Sequence, residues 1–203
     1  MSMAAPAVGS PRGISFEDFL ATIDEDTLVE WVDGEVLPVN PPAKDHIQIT
    51  NFLLRALGEY VDLKGIGGAV LHAPLQMKLA SSSRQPDLVY LREENLDRWK
   101  EHFVDGPADL AVEVISPESR ARDRAEKFRE YQRGGVHEYW LIDPRQRTAE
   151  GYRLSESGAY ERIAAGDPPR LRSEVIPGLW IDPAWLWAPR PNVRAALAEW
   201  GLA

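Results

Sequence analysis

The chain is 203 residues long, with 44% hydrophobic and 27% charged residues, a balance that supports a disulfide-free hydrophobic core and excludes wholesale disorder. It contains no cysteine, which removes disulfide frameworks, thiolate zinc sites and cysteine nucleophiles together. Lys+Arg 23 against Asp+Glu 32 gives a net charge of −9, so a uniformly basic nucleic-acid coat is excluded and any phosphate binding must come from a local patch.

Residues 1–13 are small and apolar, with no basic residue ahead of Ala4–Val8. This pattern predicts a disordered tail rather than a secretory signal, and residues 14–203 then form one domain. No apolar run is long enough to cross a membrane, and the lack of cysteine fits a cytoplasmic protein. Ser15 is placed to cap a short helix through Glu17 to Leu20. Leu28–Val32 and Glu35–Leu37 flank Asp33-Gly34, a strong hairpin signal because the turn needs positive φ. Pro38, Pro41 and Pro42 should stop the second strand. The longest amphipathic helix follows over 44–64, with Ile49, Leu53, Ala56, Leu57 and Tyr60 at helical spacing. His46 stands at the N-terminal end of the same face.

After Gly65–Gly68 comes an apolar run, Ala69–Leu79, then a polar stretch, Ala80–Gln85, read as a loop. Pro86 and Asp87 open the strand Leu88–Leu91. Asp109–Ile115 reads as a buried central strand, broken by Ser116-Pro117. A second helix is predicted over 120–133, closed by Gly134-Gly135. His137–Ile142 is a further strand, 148–187 reads as short strands and turns, and a last helix fits 192–200. The order predicts an α/β fold with a mixed sheet flanked by helices.

Glu113 lies inside an apolar strand, where a carboxylate is costly unless paired. It can be a sheet-surface glutamate, a partner of a buried arginine, or a metal ligand. Asp87, at the start of another apolar strand, supports the last reading, since two strand-borne carboxylates can converge on one hard cation. Segment 120–133 carries Arg120, Arg122, Arg124, Lys127, Arg129 and Arg133 and is net +3, while the rest of the chain carries −12. Arg120, Arg124, Lys127 and Tyr131 form one helical stripe. It is either a solvated face or a phosphate-binding surface beside the acidic pair, with Arg120 and Arg124 the candidates for phosphate contact. The four histidines show no zinc spacing, and no Gly-x-Ser-x-Gly elbow is present.

Taken in order, Val29–Glu35, His46, Pro86–Val89, Val112–Pro117, Asp123, Lys127, Tyr131, Gly135–Pro144 and Ile176–Leu179 resemble the Uma-type putative restriction endonucleases, a branch of the PD-(D/E)XK nuclease superfamily. The resemblance covers most of the chain. It implies a restriction endonuclease-like core with an N-terminal β-hairpin and a C-terminal strand-rich extension. It implies a metal-dependent nuclease that cuts nucleic acid, DNA ahead of RNA, with Mg2+ or Mn2+ as cofactor and a homodimer as one oligomeric state. Asp87 and Glu113 would then bind the metal, with Ile115 supplying a backbone carbonyl. The superfamily's usual lysine position is Ile115 here, and Lys127 on the following helix would take its place. His46 and Glu30 are further candidates. For each, a structural role stays open: a helix-end histidine, and a hairpin glutamate paired with an arginine. The alternative is a catalytically inactive nuclease-like fold acting as a nucleic-acid- or protein-binding module.

Overall fold

The structure is a computed structural model that describes residues 13–23, 28–116 and 122–202; the expected N-terminal tail lies almost wholly outside them. The first half builds helix α1 (Phe16–Thr22), strands β1 (Val29–Val32) and β2 (Glu35–Pro38), and helix α2 (Lys44–Lys64). Strands β3 (Ala69–His72), β4 (Gln76–Lys78), β5 (Ser82–Arg84), β6 (Leu88–Leu91), β7 (Phe103–Asp105) and β8 (Leu110–Val114) follow. Helix α3 (Phe128–Gly134) then leads to β9 (Glu138–Asp143), β10 (Thr148–Leu154) and β11 (Tyr160–Arg162). The chain ends with β12 (Leu171–Arg172), β13 (Trp180–Ile181), α4 (Pro183–Leu186) and α5 (Val193–Glu199).

Among the described residues, β11-β10-β9-β8-β6-β3 form a six-stranded sheet and β2-β1-β5-β4-β7 a five-stranded one. The larger sheet is mixed: β8 runs parallel to β9 and antiparallel to β6. Every residue of β8 and β9 is buried, because both faces of this sheet are covered. Leu110, Val112 and Val114 pack with α2, α5 and the C-terminal strands on one side. Ala111 and Ile115 pack on the other, with Tyr131 of α3 and with Met77 and Val104 of the smaller sheet. The carboxylate of Glu138 ties the C-terminal lobe to this sheet. One oxygen accepts from the backbone N–H of Glu174 at 2.7 Å and of Val175 at 3.0 Å, and from Ser173 Oγ at 3.2 Å. Burial pushes the pKa of Glu138 up to about 7, with those backbone donors pulling against it.

The hairpin and the 44–64 helix form as their sequence predicts. Pro38 is kept within β2 because β2 is an edge strand, where a missing N–H is harmless. Three readings change. The apolar run Ala69–Leu79 is two strands in different sheets, broken at Pro74. The polar stretch Ala80–Gln85 contains β5, whose three residues are all buried. Its side chains satisfy each other and their neighbours: Ser83 Oγ donates to Gln76 at 2.8 Å, and Arg84 is held by carboxylates. The predicted 120–133 helix is, where described, a π-helix (Arg122–Lys127) running into α3. Gly135 closes it at φ 86°, a conformation glycine adopts without steric cost.

Candidate active site

Asp87 and Glu113 reach one place because of strand register. The antiparallel β6–β8 ladder pairs Leu88 with Val112, so one step further sets Asp87 opposite Glu113. Both fall on the face that carries Val89, Ala111 and Ile115. Asp87 is fixed at both oxygens: Oδ2 accepts the Val114 N–H at 2.6 Å, and Oδ1 lies 3.0 Å from His46 Nε2. His46 arrives from the first turn of α2, so the long helix delivers its N-terminal end to the end of the central sheet.

Glu113 is almost fully buried, and its Oε1 accepts from Lys127 Nζ at 2.9 Å and from the Tyr131 hydroxyl at 2.6 Å. Lys127 and Tyr131 are four residues apart across the junction of the π-helix and α3, which turns both inward. Burial first, and then the Glu113 charge, raise the Tyr131 pKa well above its ordinary value, which keeps the phenol a donor. The sequence reading exposed Lys127 on a helical stripe; the structure leaves it 5% exposed. The physical reason is a second carboxylate: Lys127 Nζ also lies 3.0 Å from Glu30 Oε1.

Glu30 in turn stands against Arg84. Extending the Trp31–Ser83 register of β1 and β5 places the two opposite each other, and Arg84 Nη1 donates to Glu30 Oε2 at 2.9 Å. The same guanidinium grips Glu130 of α3 in bidentate fashion, at 2.7 and 2.6 Å. A continuous chain of charges therefore runs Glu130–Arg84–Glu30–Lys127–Glu113 and joins the smaller sheet, α3 and the central strand. Glu30 therefore has the arginine partner that its place in the hairpin predicts, and it also lines the cleft of the candidate site. Arg84 itself was hidden in a serine-rich stretch, and the need of Glu30 for a cation was the one signal pointing to it.

Burial acts to raise the pKa of Glu30, but the charges of Lys127 and then Arg84 outweigh it and hold the carboxyl below its ordinary 4.5. A carboxyl depressed on folding contributes stability that is fully present above its unfolded pKa and is lost as pH falls through the folded value. The wild-type melting temperature is therefore expected to drop between about pH 5 and pH 3, and to drop less in Glu30→Gln. Parallel pH profiles for the two proteins would contradict this.

The remaining sequence candidates divide. Arg124 Nη1 bonds Glu150 at 2.9 Å, and its Nη2 lies 3.8 Å from Asp143, so it faces carboxylates of β9 and β10. Arg120 lies outside the described residues, as does the side chain of Asp123. Ile115 directs its side chain into the core beside α3, and its N–H bonds the Ile142 carbonyl at 2.7 Å.

Glu30, His46, Asp87, Glu113 and Lys127 all line one cleft of about 450 Å³, walled by the start of α2 on one side and the β1–β2 hairpin region on the other. Among the described residues no group of three or more histidine or acidic side chains is arranged to hold a metal. That is compatible with magnesium, which takes one or two carboxylates and completes its shell with water and substrate oxygens.

The family model Uma2, described as putative restriction endonuclease, matches residues 16–184. Among curated proteins, none matches the chain. Of solved structures, the chain is similar to a crystal structure of a putative nuclease belonging to DUF820 from Anabaena variabilis ATCC 29413. The TM-score is 0.72 at 17% identity, over 86% of this chain and 97% of that one. The likeness shows a shared fold.

Proposed function

Because the chain belongs to the Uma2 family of putative restriction endonucleases, we propose that it is a metal-dependent nuclease hydrolysing phosphodiester bonds, with DNA as the preferred substrate. One observation carries the reading. Two carboxylates, Asp87 and Glu113, stand opposite each other in the register of neighbouring strands and line one cleft, with the Lys127 ammonium seated on one of them.

Asp87 and Glu113 would hold Mg2+ or Mn2+, with the backbone carbonyl of Ile115 as a third donor. When bound, the ion supplies a Lewis acid for the phosphate and lowers the pKa of a water. The chain's own residues do the positioning. His46 and the Val114 N–H keep Asp87 from rotating, and Tyr131 and Lys127 do the same for Glu113. Lys127 also brings a positive charge into a site otherwise dominated by carboxylates, where it opposes the negative charge that grows on the phosphate in the transition state. Glu30 and Arg84 hold that lysine in place.

Calorimetric titration should detect Mg2+ or Mn2+ binding to the wild type and none to Asp87→Ala/Glu113→Ala. Equal binding by both proteins would remove the pair as ligands. In parallel, single- and double-stranded DNA and RNA should be screened for cleavage with each ion. Binding of nucleic acid without cutting under any condition would instead support the non-cleaving module.

A further inference from the structure

We infer that the cleft receives an unpaired nucleobase next to the phosphate, so that the protein selects single-stranded or locally unpaired nucleic acid over continuous duplex; this deepens the nuclease reading and rests on it for the ligand being a nucleic acid.

The shape comes first. A volume of about 450 Å³ is that of a pocket for a small organic group. A duplex carries one negative charge per ~1.7 Å of axis and calls for an extended cationic surface. Among the described residues lining this cleft, Lys127 is the one Lys or Arg. It is already set between Glu30 and Glu113. The described lining therefore offers a cation for one phosphate rather than for a row of them.

The walls suit something other than phosphate. The same cleft is lined by Leu28, Val39, Pro42, Ile47, Leu54 and Pro74. Leu28 and Ile47 are 39% and 44% exposed, among the most exposed large apolar side chains of the described surface. On α2, Ile49, Phe52, Leu53 and Ala56 go to the core, while Ile47, Asn51 and Leu54, spaced i, i+4 and i+7, line the cleft, Leu54 also packing against the core. An apolar wall at a phosphodiester site is covered when the flat face of a base lies on it, and is left wet by phosphate alone.

Polar reading groups complete the fit. Asn40, Asn51 and Gln85 share the lining with the apolar wall. Each amide offers donor and acceptor together, the pairing that recognises base edges. Apolar walls with amide groups around one nucleotide-sized space match how enzymes hold a base taken out of its stack.

Asn51 is exposed and outside the charge chain, so its replacement leaves the catalytic groups and the core untouched. Fluorescence anisotropy would be read in calcium with three probes of one sequence: a fully paired duplex, the same duplex with a single-nucleotide bulge, and the single strand. The wild type is expected to bind at least one unpaired probe about tenfold or more tighter than the paired duplex, a difference of roughly 1.4 kcal/mol. Asn51→Trp, which fills the cleft, is expected to erase that preference, and Asn51→Ala to weaken it. Preference for the bulge assigns a base drawn out of a helix; preference for the single strand assigns a continuous unpaired chain. Equal affinity for all three probes, no binding to any, or a preference unchanged in Asn51→Trp would overturn the inference. If unpaired probes are preferred yet no substrate is cut in Mg2+ or Mn2+, the nuclease reading fails and the base site stands.

Discussion

Lys127→Met is expected to reduce cleavage on the order of 100-fold or more, the loss typical of removing one preorganised charge that opposes a developing oxyanion. It is also expected to unsettle the fold. The ammonium is 5% exposed and stands about equally close to Glu113 and Glu30, at 2.9 and 3.0 Å. Methionine keeps the stem but takes the ammonium away from two buried carboxylates, with Arg84 still bonded to Glu30, a change worth roughly 3–5 kcal/mol. Thermal denaturation should show a clear fall in melting temperature. The double variant Lys127→Met/Glu30→Gln removes one of the two carboxylates that lose the ammonium and should recover part of that stability while cleaving no better. A single variant that cuts like wild type would strip Lys127 of its role. A double variant that regained cleavage would make the loss one of folding rather than chemistry.

Arg84→Met should be destabilising on a similar scale, roughly 3–5 kcal/mol, because breaking a buried ion pair strands the remaining charges. Here two carboxylates lose a partner: Glu30 at 2.9 Å and Glu130 at 2.6 Å, with Arg84 itself fully buried. Arg84→Lys should fall between wild type and Arg84→Met, since one ammonium cannot reproduce a bidentate fork and a third bond at once. Urea unfolding midpoints would rank the three proteins. A midpoint for Arg84→Met equal to wild type would mean the charge chain contributes nothing net to the fold.

These two residues also mark where sequence reading succeeds and where it stops. Periodicity puts Lys127 on a stripe with Tyr131 and the family resemblance singles it out, but its burial is not legible in the sequence. Helical periodicity tells which positions share a face, not whether that face meets solvent or a second sheet. Arg84 is not legible in the sequence, because Ser81 to Arg84 is polar and a polar run reads as exposed. In β5 the polar atoms are satisfied internally, so burial costs little.

By itself the sequence determined the local elements with strong one-dimensional signals: the Asp33-Gly34 hairpin, the 44–64 helix with its glycine stop, the apolar strands holding Asp87 and Glu113, and the glycine after α3. Each is set by contacts or dihedral preferences within a few residues, so its information is contiguous. The tertiary structure decided what depends on distant register. It set Asp87 opposite Glu113, His46 on Asp87, Arg84 across from Glu30, and Lys127 between two acids from different sheets. Ion pairs of this kind link residues 14 to 97 positions apart in the chain. Only the folded sheets bring them within hydrogen-bonding distance, where low solvent access makes their charges interact strongly.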